Sequence, residues 1–224
     1  MRMQWIPAPA TQAPAQLWLM LPGAYMKPSD FIDAGFADAV HRRGLPHDIA
    51  LLEANIAEVA DGSALAWLQG YLLSDTRAAA ASRICLLGIS LGAHLAMAFL
   101  ARASAGTPEA AAAARVSAAC LLAPYLGPRD IVAEVAAAGM PQRWLPAQSV
   151  QSDIDRRIWQ WLGQEAGGHD LHLGYGSEDR FAKAHALMAQ ALPASRVDVQ
   201  PGGHEWPVWT ALWNRHLDHV YVEH

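Results

Sequence analysis

The stretch "RICLLGISLGAHLAMAFL" at 83–100 restricts the possible fold more than any other part of the chain. It begins as a run of branched apolar residues, passes through Gly88-Ile89-Ser90-Leu91-Gly92, and continues directly as an apolar helical pattern. A short apolar run that ends at a turn signal reads as a strand buried on both faces. A buried strand that becomes a helix within one turn belongs where helices cover a sheet, in an α/β protein. Glycines two residues to either side of Ser90 remove the Cβ atoms that would collide with the neighbouring strand and helix. The turn holds the serine in an unfavourable backbone conformation. Its hydroxyl then stands at the carboxyl end of the sheet, where a helix N-terminus favours negative charge.

The rest of the chain repeats this alternation. Further strands are expected at 16–21 ("QLWLML"), 48–52, 83–88, 116–123, 170–176 and 196–200. Helical periodicity falls at 29–43, with Ser29-Asp30 as N-cap and Gly44 as stop, and at 62–81, 91–104, 180–192 and 206–221. The expectation is a mainly parallel sheet of about six strands with helices on both faces. Trp206, Trp209, Trp213, Leu217 and Val220 recur at steps of three or four, which makes them one core-facing stripe of the last helix. The Ala-rich stretch 107–117 reads as a surface connection. Residues 128–168 interrupt the alternation with a long excursion carrying Trp144, Trp159 and Trp161, read as a small cap-like insertion. A chain of 224 residues supports one domain spanning 1–224.

Composition excludes several classes. Hydrophobic residues make up 53% and charged residues 17%, with a net charge of −5 and no Lys/Arg run that would read nucleic acid or anionic lipid. No apolar stretch suits a leader peptide or a membrane span, so the expectation is a soluble cytoplasmic protein. Cys85 and Cys120 lie inside strand signals and read as buried free thiols.

A serine hydroxyl needs a base. Of ten histidines, His204 in "QPGGHEWPVW" is the one set in a Gly-rich loop between the last strand and the last helix. His94, four residues after Ser90, reads as a packing or capping group. His169 and His172 flank a strand without a third metal ligand, so no metal site is expected. The base in turn needs an acid to fix its tautomer. "LGYGSEDRF" offers Glu178 and Asp179 at the carboxyl edge that carries Ser90; Asp179 is favoured, Glu178 faces solvent, and Asp130 is the reserve. Asp179 could equally cap the helix that follows. Oxyanion donors are expected from the amide of Leu91 and from that of Ala24 or Tyr25 in "LPGAYMKPSDF". Tyr25, Met26, Trp144, Trp159 and Trp161 either line an apolar acyl pocket or are ordinary packing.

With these residues assembled, the chain resembles the α/β-hydrolase superfamily over nearly its full length, through "QLWLMLPGAY", "GISLG", "GYGSEDRF" and "GGHEW". Within it, the chain is most similar to small bacterial esterases and thioesterase-like hydrolases. The resemblance implies a six-strand parallel core in which the first, antiparallel strands of larger members are missing or reduced, and a minimal cap made by 128–168. It implies a serine hydrolase that cleaves a carboxylic ester of small or medium acyl chain through an acyl-enzyme on Ser90, without metal or organic cofactor. The sequence departs from the family where Pro22-Gly23 replaces the His-Gly that many members carry at the oxyanion loop. The rival readings are an acyl thioesterase, with Lys27, Arg129 and Arg143 near the mouth, and a non-catalytic ligand-binding protein on the same scaffold.

Overall fold

A computed structural model describes residues 1–9, 16–102, 107–146, 153–164 and 169–221. The chain begins with β1 (Arg2–Ile6), β2 (Gln16–Leu21), α1 (Pro28–Asp33), α2 (Phe36–His41) and β3 (His47–Glu53). It continues with α3 (Ile56–Ala60), α4 (Ser63–Ser74), α5 (Thr76–Ala80), β4 (Arg83–Ile89), α6 (Leu91–Ala101), α7 (Pro108–Ala113) and β5 (Val116–Leu122). After α8 (Arg129–Ala137) and α9 (Ile154–Gln164) come β6 (Asp170–Gly176), α10 (Ala182–Ala189), β7 (Val197–Gln200) and α11 (Trp206–Tyr221).

Among the described residues the strands form a seven-stranded sheet in the order β1-β3-β2-β4-β5-β6-β7. All neighbours are parallel except β1, which pairs antiparallel with β3 from Arg2↔Glu53 to Ile6↔Ile49. The six expected strands are all present, and β1 is an additional one. It escapes the apolar-run criterion because "RMQWI" is an edge strand with only partial burial, and a half-buried edge carries polar residues. At the sheet centre β2 and β4 are buried almost throughout, as parallel strands covered on both faces must be.

Each face of the sheet carries its own core. One gathers Leu17, Leu19, Leu86 and Leu121 under α4, α6 and α10. The other gathers Trp18, Met20, Leu87 and Leu122 under α1, α2 and α11. Helix α6 is buried on every side from Gly92 to Ala101, because α4 and α9 cover the surface that the sheet does not. In α11 the middle of the stripe is core: Trp209, Trp213 and Leu217 are buried while Trp206 and Val220 are half-buried, and the Trp213 indole N–H donates to the Phe36 carbonyl at 3.0 Å.

Several boundaries differ from expectation for identifiable reasons. The helix expected at 29–43 is two helices, broken at Gly35, whose φ of 75° no helix tolerates. Its N-cap is Lys27 rather than Ser29-Asp30; Pro28 takes the first helical position and Asp30 reaches back to the Lys27 amide at 2.7 Å. The segment 62–81 splits at Asp75, whose carboxylate caps α5. The Ala-rich connection contains α7, started by Thr107 accepting from the Ala110 amide. Cys85 and Cys120 are buried and free. No helix among the described residues is long and apolar enough to cross a membrane.

Candidate active site

The turn between β4 and α6 has the geometry its glycines suggest. Ser90 sits at φ 53°, ψ −109°, a conformation that costs a non-glycine residue about 1–3 kcal/mol. Three backbone hydrogen bonds hold it there. Its amide donates to the Leu122 carbonyl at 2.8 Å, and its carbonyl accepts from His94 N at 3.0 Å and Tyr125 N at 3.1 Å. The glycines are sterically required. A Cβ on Gly88 would lie 2.4 Å from Ala93 N, and one on Gly92 would lie 2.0 Å from the Leu21 carbonyl oxygen.

His204 comes from the loop joining β7 to α11, and its Nε2 is 3.0 Å from Ser90 Oγ. Its Nδ1 is 2.6 Å from Asp179 Oδ2 in the loop after β6. A carboxylate only accepts, so Nδ1 carries the proton and Nε2 is the lone-pair nitrogen facing the hydroxyl. Asp179 is also the local cap: its Oδ1 accepts from the Phe181 amide at 2.8 Å. One carboxylate therefore fills both roles that the sequence left open. Burial pushes the Asp179 carboxyl up, but the His204 hydrogen bond, the Phe181 amide and the nearby imidazoles outweigh it and hold the group below its ordinary value. Glu178 is exposed, as is Asp130 at the start of α8.

No protein-family model matches the sequence. No curated protein matches it either. Solved structures do. The Staphylococcus aureus fluorophosphonate-binding serine hydrolase FphF, in a substrate-bound structure, superposes with a TM-score of 0.64 at 12% identity, covering 97% of this chain and 91% of that one. Est1E from Butyrivibrio proteoclasticus gives 0.62 at 13% identity, covering 99% and 93%. TT1662 from Thermus thermophilus gives 0.60 at 18% identity, covering 98% of both chains. The chain has the α/β-hydrolase fold.

In this α/β-hydrolase fold the loop after β2 lies beside the Ser90 turn. Gly23 is close-packed there: a Cβ would stand 3.2 Å from the Ile89 carbonyl oxygen and 3.0 Å from the Met26 side chain. The Gly23 amide faces Met26 Sδ at 3.1 Å and the Met26 amide donates to the Gly23 carbonyl at 3.2 Å. Both ends of the turn are thus engaged, with exposed Ala24 and Tyr25 at its tip. Tyr25 is 91% exposed at φ 63°, a strained position for a large side chain.

The pocket residues separate into two groups. Tyr25 and Met26 line a groove of about 540 Å³ together with Arg2, Lys27, Asn55 and Ile56. Trp144, Trp159 and Trp161 do not line it. All three are buried in the core on the α6 side of the sheet, and the Trp159 indole N–H donates to the Leu126 carbonyl at 2.9 Å. Of the two readings the sequence left open, packing holds: Trp159 and Trp161 sit on the inward face of the amphipathic α9, and Trp144 follows a short turn at 141–143 laid on the same core.

The sequence did not show what holds the imidazole in place. The His204 ring lies edge-on to Phe181 (5.6 Å between centroids) and to Trp209 (5.0 Å). Trp209 carried a signal, its place on the helical stripe five residues after His204, but the stripe alone reads as core. Phe181 and Tyr125 carried none; their proximity arises only when the loops after β5 and β6 meet. Among the described residues no three His, Cys, Asp or Glu side chains are placed to hold a metal ion.

Proposed function

We propose that this chain is a serine hydrolase acting on carboxylic esters of small or medium acyl chain. The observation that carries the reading is the continuous chain Ser90 Oγ–His204 Nε2 at 3.0 Å and His204 Nδ1–Asp179 Oδ2 at 2.6 Å, mounted on a strained strand-to-helix turn. Ser90 Oγ attacks the acyl carbon as His204 Nε2 takes its proton, and Asp179 stabilises the imidazolium that forms. The Leu91 amide at the start of α6 and the amide of Ala24 or Tyr25 hold the oxyanion; we assign Ala24. The imidazolium then protonates the leaving alkoxide. Water activated by the same nitrogen releases the acid from Ser90. The esterases and serine hydrolases with which the chain shares its fold support this reading.

We assign the groove beside Tyr25 and Met26 to the acyl group, and the described parts of the 128–168 insertion, 128–146 and 153–164, to a minimal cap; its remaining residues lie outside the described ones. The same triad serves the rival reading, an acyl thioesterase. The test is intact mass after exposure to a fluorophosphonate, on the natural protein and on Ser90→Ala. A single adduct present in the first and missing in the second is expected, and a panel of simple esters against acyl-CoA then separates ester from thioester. No adduct on folded natural protein overturns the hydrolase and leaves the non-catalytic binding protein.

A further inference from the structure

The segment that leaves β5 is held in an unusual way. Ala123 bends at φ 46°, and its amide donates to the Gly174 carbonyl at 2.8 Å, the last ladder-like bond before the chain departs from the sheet. The next three carbonyls, which the sheet no longer engages, are each taken by a ring N–H from a different helix. Pro124 O accepts from His185 Nε2 of α10 at 2.9 Å. Tyr125 O accepts from His94 Nδ1 of α6 at 3.3 Å. Leu126 O accepts from Trp159 Nε1 of α9 at 2.9 Å. A carbonyl only accepts, so each ring nitrogen is the donor and the tautomers of both histidines are fixed.

The middle residue of this clamp touches the site directly. The Tyr125 amide is one of the two donors to the Ser90 carbonyl, and its ring contacts His94 (5.5 Å) and Phe181 (6.1 Å), the residue that packs on His204. A strained conformation persists only when its surroundings over-determine it. The amide that restrains Ser90 belongs to a segment past a strained bend, and that segment stays in place through side chains. His94 is the one among them that grips both ends of the contact: its own amide donates to the Ser90 carbonyl, and its ring donates to the Tyr125 carbonyl.

We propose that His94 is a positioning residue for Ser90, acting through the Tyr125 carbonyl to keep the Tyr125 amide on the Ser90 carbonyl. The proposal rests on the reading of Ser90 as nucleophile. Burial pushes the His94 imidazole below its ordinary value against the pull of Asp155. Asp155 Oδ1 lies 3.7 Å from Nδ1, beyond hydrogen-bond length, so the Nδ1–H is directed at the Tyr125 carbonyl at 3.3 Å.

The test measures the rate of fluorophosphonate labelling, with saturation, for the natural protein and for His94→Leu, His94→Asn and His94→Gln, each checked by thermal melting. Asn places an amide N–H where His Nδ1 stands, whereas Gln places it one bond farther out. His94→Leu is expected to lower the limiting rate by about 10²-fold, the scale of a roughly 1 Å misplacement, with the saturation constant little changed. His94→Asn should recover most of the loss and His94→Gln should not. Labelling of His94→Leu at the natural rate, or equal loss in the Asn and Gln variants, overturns the proposal. If His94→Leu does not fold, the Asn–Gln comparison decides alone. Failure of the natural protein to label at all is a separate result: it overturns the nucleophile reading, and this proposal with it.

Discussion

At the scale of single residues, two glycines show how the same added methyl group acts in opposite directions. Gly92 lies against β2 so closely that a Cβ would sit 2.0 Å from Leu21 O and 2.7 Å from Pro22 O, both rigid backbone atoms. Gly92→Ala must push α6 away from the loop that carries Ala24, so both the fold and the site are affected. Gly70 lies in the middle of α4, where a Cβ would meet nothing within 4 Å. There the methyl group only removes backbone freedom from the unfolded chain. Urea unfolding should show Gly92→Ala destabilised by about 3 kcal/mol, the upper end of overpacking costs, with fluorophosphonate labelling slowed. Gly70→Ala should be stabilised by about 1 kcal/mol. A Gly92→Ala midpoint equal to that of the natural protein would mean that the turn has slack, and the steric account of the "GISLG" spacing would be wrong.

At the scale of elements, α11 is the helix whose packing is most concentrated in single side chains. Trp213 is fully buried, stacked on Phe36 at 5.9 Å, edge-on to Trp18 at 4.9 Å, and hydrogen-bonded to the Phe36 carbonyl. Trp213→Ala should cost about 3–5 kcal/mol by urea unfolding, while Trp206→Ala, only partly buried, should cost clearly less. Equal losses would contradict the orientation of the stripe. This helix was legible because its periodicity and its burial coincide, and the five inner strands were legible because burial on both faces demands unbroken apolar runs. The elements that were not legible had competing local chemistry: β1 alternates at an edge, Gly35 and Asp75 interrupt helical patterns, and Thr107 starts a helix in a stretch whose alanines suit any surface. The site divides in the same way. Ser90, Asp179 and His204 could be picked out because each sits in a short loop directly after a strand, and the structure brings the three together. Tyr125, Phe181 and the carbonyl clamp could not, since they depend on which loops meet and no local pattern records that. The three cap tryptophans stayed open between pocket and packing because an indole in an apolar stretch reads alike whether it faces a pocket or a core.

At the scale of the whole molecule, the two ends of the sheet carry different electrostatics. The carboxyl end holds Ser90, His204 and Asp179, with His94 and His185 buried beside them, whereas a second group of buried imidazoles lies toward the amino end. His47 opens β3, and its pKa is pushed down to about 4 by burial and then by the charges of Arg83 and His41. His172 in β6 is likewise pushed down to about 4 by burial and the Arg196 charge, against the pull of Asp170. His216 of α11 is pushed well below its ordinary value by burial and by His172 and His219, with Arg196 and Arg83 adding to the effect. For each of these groups the unfolded chain binds the proton first, at an ordinary pKa of 6.5. Between that pH and the folded value the unfolded state holds more protons, so stability is fully present above pH 6.5 and falls as pH drops toward 4. Each histidine contributes a slope of up to about 1.4 kcal/mol per pH unit. Asp179 has the same sign at lower pH, because its carboxyl lies below its ordinary value of 3.8 in the folded protein. His216 isolates the effect. Its ring stacks on Trp213 at 5.7 Å and meets Trp18 edge-on at 5.8 Å, and its Nε2 is buried with no hydrogen-bond partner among the described residues. His216→Phe therefore keeps the ring packing and removes one titrating group. Thermal melts from pH 8 to pH 4.5 should show the natural protein losing stability steadily below about pH 6.5. The variant should lose it less steeply and match the natural protein above pH 7. Parallel curves for the two would place the acid sensitivity elsewhere, and His216 would then be ordinary packing with no share in the response to acid.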